Sequence, residues 1–361
     1  MLLLSLACWK TPDPIDFTVV PFDNDLSGTT TGVVETIETD LDCPDGEGAK
    51  IYVVWDETWE EQRPVAIVLH SSAFDYVIEP QSDAPLIGEH WAATGEDGTT
   101  RMTRRWGVQK VWETLGMHPQ VEPAEENYGT IPASLLDAGV VGVYPTNCWG
   151  DLWHDESPDQ VNDKATEYLD REGGTFAWWQ LRWMVDATFA ASQEITPSAL
   201  IDSGEIYLVG LGDGALGVAD LIRHEERPAL AGVLLDSPVD DLDDWAETPG
   251  VGDGLARIYF EPGADDTGGE SSLAEWSIKR LVADGGFDEI PTMLVHSSVD
   301  PRVPSGNVDG LVTKLEERGQ VPSCVVDTGE AAHVQTNADI ALARDVVNWL
   351  TTGESSRCPE E

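Results

Sequence analysis

Residues 206–221 read IYLVGLGDGALGVADL. Ile206 to Val209 have the apolar make-up of a strand buried on both faces. Gly210, Gly212 and Gly214 then fall at every second position, and Ala215 to Leu221 continue as a small-residue, apolar helical stretch. Glycine removes the Cβ where two elements approach closely, and it accepts a positive φ at the tip of a tight turn. The stretch therefore predicts a strand, a sharp turn with Gly212 at its tip, and a helix packed back on the strand.

Comparable runs recur along the chain. Strand-like segments lie at 32–39, 50–55, 65–70, 140–144, 206–210, 230–235, 292–296 and 324–327. From the third onward they alternate with helical stretches, the clearest at 131–137, 175–192, 215–223, 273–283, 307–318 and 338–350. Alternation of this kind predicts an α/β fold, with an eight-stranded, mostly parallel sheet covered by helices on both faces. Segments 77–128 and 239–270 exceed ordinary connections; the first carries Trp91, Trp106 and Trp112, the second Trp245, Tyr259 and Phe260. Loops of that length in a compact domain are usually functional. The expected organisation is a signal over 1–8, a polar tether over 9–30, one domain over 31–353 with two insertions, and a tail over 354–361.

The 361 residues carry 67 Asp and Glu against 20 Lys and Arg, a formal net charge of −47. Clustered cations are what a polyphosphate needs, so this balance argues against a nucleic-acid partner or an anionic membrane surface. Only six of the basic residues are Lys, and the acidic ones are spread along the whole chain. Two readings stay open: a salt-rich habitat that screens the self-repulsion, or a generic acidic exported protein.

The first residues, MLLLSLACWKTPDPID, are a short apolar run ending at Cys8, followed by Pro-rich polar sequence. This resembles a bacterial lipoprotein signal, which implies lipidation of Cys8 and a membrane attachment made only through that anchor. The run is short and lacks a preceding Lys or Arg, which a start further upstream would explain. Setting Cys8 aside leaves Cys43, Cys148, Cys324 and Cys358, an even number that suggests two disulfides in an exported chain. Cys324 opens a strand and Cys358 lies just past the last helix. That pair is the expected staple of the C-terminal tail, leaving Cys43 for Cys148.

Three further stretches complete a pattern. MLVHSSVDPRVP, 293–304, places Asp300 after the seventh strand; GEAAHVQT, 329–336, places His333 after the eighth; IVLHSSAFDY, 67–76, ends the third strand in His70, Ser71 and Ser72. With the turn at Gly212, these resemble the α/β-hydrolases over about residues 32–350, nearest to secreted esterases and the catalytic domains of prolyl-oligopeptidase-like peptidases. The resemblance implies the chain order nucleophile, acid, base. Asp300 falls on the acid, within a stretch similar to the family's H-G-x-x-D-x-x-V-P. His333 falls on the base, and the loop at Ser71 and Ser72 takes the place of the oxyanion loop. The backbone N–H of Asp213 would be the second oxyanion donor.

The nucleophile is what is missing. The family's turn is G-x-S-x-G, and here the tip is Gly212, with Gly210 and Gly214 correctly spaced around it. Placing Asp213 at the tip, as the nucleophile of an aspartate-dependent hydrolase, puts Leu211 and Ala215 at the flanks, and Leu211 is too bulky. Ser71 and Ser72 fall on the oxyanion loop, from which attack is awkward, and Cys148, expected on the same edge, reads more strongly as a disulfide partner. A water activated by His333 and Asp300 attacks directly, without a covalent intermediate.

Other features are less specific. In TNCWGDLWHDE, 146–156, Trp149, Trp153 and His154 read either as the wall of a ligand pocket or as packing beneath the first insertion. The pairs Asp240–Asp241, Asp243–Asp244 and Asp265–Asp266 lack the spacing of a calcium loop. No cofactor or metal is expected. Two functions remain: a catalytically impaired hydrolase-fold lipoprotein that binds a small-molecule or peptide ligand, or a partner, in the former active-site pocket, and an active ester or peptide hydrolase working through Asp213 or an activated water.

Overall fold

A computed structural model describes residues 20–22, 32–42, 48–56, 58–69, 74–77, 103–106, 130–145, 201–212, 214–223, 229–240, 277–300, 303, 305–318, 323–330 and 334–358. The strands are β1 (Val20–Phe22), β2 (Gly32–Asp42), β3 (Gly48–Trp55), β4 (Arg63–Leu69), β5 (Phe74–Val77), β6 (Thr103–Trp106), β7 (Val141–Pro145), β8 (Ile201–Leu211), β9 (Gly232–Asp236), β10 (Thr292–His296) and β11 (Ser323–Asp327). The helices are α1 (Thr130–Asp137), α2 (Gly214–Arg223), α3 (Ile278–Ala283), α4 (Ser305–Glu317), α5 (Gln335–Ala338) and α6 (Ile340–Thr352).

Every residue of β9 and β10, and the last five of β4, is buried. Strands that are apolar on both faces have to be covered on both sides, which is the condition a parallel sheet with crossover helices meets. Among the described residues nine strands form that sheet, in the order β1-β2-β3-β7-β4-β8-β9-β10-β11. The run from β7 to β11 is parallel throughout, while β1, β2 and β3 pair antiparallel at one edge. The expected count of eight is thus corrected to nine. The added strand, Val20–Phe22, lies inside the stretch read as a polar tether, paired from Val20↔Val34 to Phe22↔Gly32. β5 and β6 pair as a separate ribbon that falls largely in the first insertion.

Alternation within the strands separates two cores. Ala66 and Val68 of β4, Tyr207 and Val209 of β8, Leu234 of β9, and Met293 and Val295 of β10 pack with Ile131 and Leu135 of α1 and with Leu342, Val346 and Trp349 of α6. The apolar positions of α2 (Ala215, Leu216, Val218, Ala219, Leu221 and Ile222) are also buried, against β8, β4 and α3. Helix α6 starts at Asp339, whose carboxylate accepts the Ala341 N–H at 2.8 Å, and stops at Gly353, whose φ of 79° is the left-handed ending that glycine adopts freely.

Past Gly353 the tail is tied down. Cys358 is bonded to Cys324 of β11, as the sequence led us to expect, with their Cα atoms 5.5 Å apart. The Asp345 carboxylate of α6 accepts from the Ser355 hydroxyl and from the Ser356 N–H and hydroxyl. Cys8, Cys43 and Cys148 lie outside the described residues, as does the expected helix at 175–192.

Candidate active site

The chain runs from β4 to its neighbour β7 on one side, then crosses to β8 on the other and continues outward. Such a reversal opens a crevice beyond the carboxyl ends of the strands, the usual place for a ligand in an open α/β sheet. Of the catalytic positions singled out in the sequence, Gly212 and Asp300 are described, and both belong to turns that follow strands of this sheet.

The turn at Gly212 has the form its glycines predict. A Cβ on Gly210 would lie 2.6 Å from Ala215 Cα and 2.9 Å from its N, so the strand and α2 touch backbone to backbone there. Gly212 has φ 61° and gives its N–H to the Asp236 carbonyl at 2.8 Å. Leu211 is fully buried and still in register with Asp236, which makes it part of the strand rather than a flank of the tip. Asp213 lies outside the described residues.

Asp300 lies in the turn after β10. Its N–H reaches the Ser297 carbonyl at 3.2 Å, and one carboxylate oxygen accepts the Val303 N–H at 3.0 Å. The start of the turn is fastened to the loop after β11: the Ser297 hydroxyl donates to the Glu330 carbonyl at 2.6 Å, and the Ser298 N–H to the Asp327 carboxylate at 3.1 Å. Burial pushes the Asp327 carboxyl up, but the N–H groups of Ser298 and Gly329 and the neighbouring His296 outweigh it and hold the group below its ordinary value. A lowered folded-state pKa gives stability that is present above the ordinary carboxylate range and is lost as pH falls through the lowered value. The Ser298 amide signal should therefore shift in an NMR titration with a midpoint below about 3.9, the unperturbed aspartate value. Asp327→Asn should abolish that titration; an unchanged one would assign it to another group.

His333 itself lies outside the described residues. The residues that follow it are described, and they are held by a pair that the sequence reading missed. Asp236 ends β9 fully buried; its carboxylate accepts from the Gln335 N–H (2.9 Å), the Thr336 N–H (2.8 Å), the Thr336 hydroxyl (2.5 Å) and the Ser237 hydroxyl (3.0 Å). Ser237 Oγ in turn accepts the Val334 N–H at 3.1 Å. Burial raises the Asp236 carboxyl above its ordinary range, with the hydrogen bonds from Thr336, Gln335 and Ser237 pulling the other way.

Ser237 and Val334 both have positive φ, 49° and 56°. For a β-branched residue this is a true outlier. Such strain persists only where the surroundings over-determine it, and it clusters at functional sites. Here Gly212, Ser237 and Val334, three left-handed residues from three parts of the chain, are joined through the end of β9.

Ser71, Ser72, Trp149, Trp153 and His154 lie outside the described residues. Asp240, named above as one of an acidic pair, is fully buried and its carboxylate faces the start of α3, with the Lys279 N–H donating to it and the Lys279 ammonium 3.8 Å away. Among the described residues no group of three or more His, Cys, Asp or Glu has the arrangement of a metal site, and no helix is long and apolar enough to cross a membrane.

The sheet, its helices and the turn after β8 define an α/β-hydrolase fold. Solved structures agree: an acylaminoacyl peptidase in complex with Z-Gly-Gly-Phe-chloromethyl ketone superposes with a TM-score of 0.52 at 13% identity, over 96% of this chain and 42% of its own. The Pyrococcus horikoshii acylaminoacyl peptidase gives 0.52 at 11% identity, over 97% and 43%. The AtxE2 isopeptidase with Astexin3-dC4 bound gives 0.51 at 15%, over 96% and 43%. The chain thus spans less than half the length of these three peptidases. No protein-family model matches it, and no curated protein sequence does.

Proposed function

We propose that this chain is an exported hydrolase-fold protein, anchored through a lipid on Cys8, in which covalent catalysis has been lost and a small-molecule or peptide ligand, or a partner, is bound at the old active-site edge. One observation carries the reading. The turn after β8 keeps the tight strand–helix approach at Gly210 and the left-handed tip, yet the tip residue is Gly212 and has nothing to attack with. Asp300 is read as the former acid and His333 as the former base. Trp149, Trp153 and His154 are offered as the ligand wall, and Ser71, Ser72 and the Asp213 N–H as remnants of the oxyanion site. The Cys324–Cys358 bond supports export, because structural disulfides persist in oxidising compartments.

The test is chemical. Purified protein incubated with a serine-directed fluorophosphonate probe and a panel of aryl esters should show labelling and turnover no greater than a His333→Ala control. Labelling that vanishes with His333→Ala would mean that an activated nucleophile exists, and the protein would be an active hydrolase.

A further inference from the structure

Asp236 and Ser237 belong to neither the acid, the base nor the turn at Gly212, yet both elements converge on them. Gly212 donates its N–H to the Asp236 carbonyl, and the three residues that follow His333 donate to the Asp236 carboxylate and the Ser237 hydroxyl. We propose that Asp236 and Ser237 are positioning residues, which fix the backbone carrying His333 in register with the turn at Gly212. The inference rests on reading His333 as the base.

The arrangement is hard to explain as stability alone. A fully buried carboxylate is costly to desolvate, and an apolar residue at the end of β9 would avoid the cost. What the carboxylate provides is direction. Its two oxygens accept from Gln335 and Thr336 at once, so the short α5 has one seat, and the Ser237 hydroxyl fixes the residue before it. Val334 then adopts a left-handed backbone that a valine avoids elsewhere, so the chain enters α5 along an imposed path. Thr328, on the approach to His333, is held as well: its hydroxyl donates to Gln335 Oε1 at 2.7 Å and its N–H to the His296 carbonyl at 2.9 Å. Thr328 and residues 334–336, before and after His333 in the sequence, are thus each tied down.

The experiment uses the full chain, labelled with ¹⁵N-histidine. The His333 imidazole signal is assigned by its loss in His333→Ala. Ser237→Ala and Thr336→Val, the latter nearly isosteric, should each move that signal and leave those of the other histidines in place. Thr336→Ser, which keeps the hydroxyl, should restore the wild-type position. In a Gly212→Ser background that turns over p-nitrophenyl acetate, the first two should lower kcat at least about tenfold with KM within about twofold, and Thr336→Ser should retain kcat. A His333 signal that stays in place in folded Ser237→Ala and Thr336→Val proteins would overturn the inference, as would an unchanged kcat. If Gly212→Ser is inactive while the His333 signal still moves as described, the positioning role holds and it is the reading of the site as a former hydrolase that fails. Should Ser237→Ala not fold, the Thr336→Val and Thr336→Ser pair decides alone.

Discussion

Gly212→Ser protein mixed with p-nitrophenyl acetate is expected to release a burst of nitrophenol stoichiometric with protein, followed by turnover at least about 100-fold above wild type. Removing the serine of a working hydrolase costs on the order of 10⁶ in kcat, so a restored one has that range to recover even where oxyanion donors and binding have drifted. The backbone is ready for the substitution. Gly212 already has φ 61°, the left-handed conformation of a turn tip, and the tight strand–helix approach is made at Gly210. A serine held at positive φ should cost about 1–2 kcal/mol, a modest penalty for losing glycine there. Mass spectrometry of the quenched reaction should find the acetyl group on the hydroxyl of the introduced serine. A folded Gly212→Ser protein without acyl-enzyme would mean that the site has drifted beyond repair, and a binding role would then have to be sought away from this edge.

The second large effect concerns the tail. Cys358→Ser should lower unfolding stability by about 4 kcal/mol, the chain-entropy value for opening a loop of this size; the bonded cysteines are 34 residues apart. The loop encloses α5, α6 and the segment carrying His333, so the unfolded chain gains its freedom where the site is built. Urea titration checks this, with the oxidised wild type as reference. The tail also bonds to Asp345 through Ser355 and Ser356, and those contacts should loosen together. A midpoint unchanged within error would show that they hold the tail without the covalent bond.

The fold was legible because parallel strands buried on both faces write themselves as unbroken apolar runs: VAIVL in β4, GVLL in β9, MLV in β10. The turn at Gly212 was legible because close backbone approach excludes side chains at a fixed spacing. β1 was not, since three residues at a sheet edge need no long apolar run, and Pro21 at its centre argues against a strand. The first half of β8, from Ile201, was missed for a similar reason: Asp202, Ser203, Gly204 and Glu205 read as a loop, and only Arg63↔Ile201 pairs them to the sheet before an irregularity. Asp236 was invisible for another reason. One carboxylate among 67 acidic residues carries no signal, and its partners lie 99 and 100 positions away. Only the end of an apolar strand marks it, and LLDSP reads equally well as a strand running out into solvent.

That separation has a consequence in time. A contact spanning 100 residues must close a long loop before it returns any energy, so it forms late. Strands β4, β8 and β9 can associate as soon as the first two thirds of the chain exist, and the turn at Gly212 goes with them. The hydrogen bonds at Asp236 and Ser237 must wait for β10, β11 and the residues after His333. A partly made chain that ends before β10 can therefore hold β4, β8, β9 and the turn at Gly212, while the seat of α5 at Asp236 and Ser237 waits for the last third of the chain.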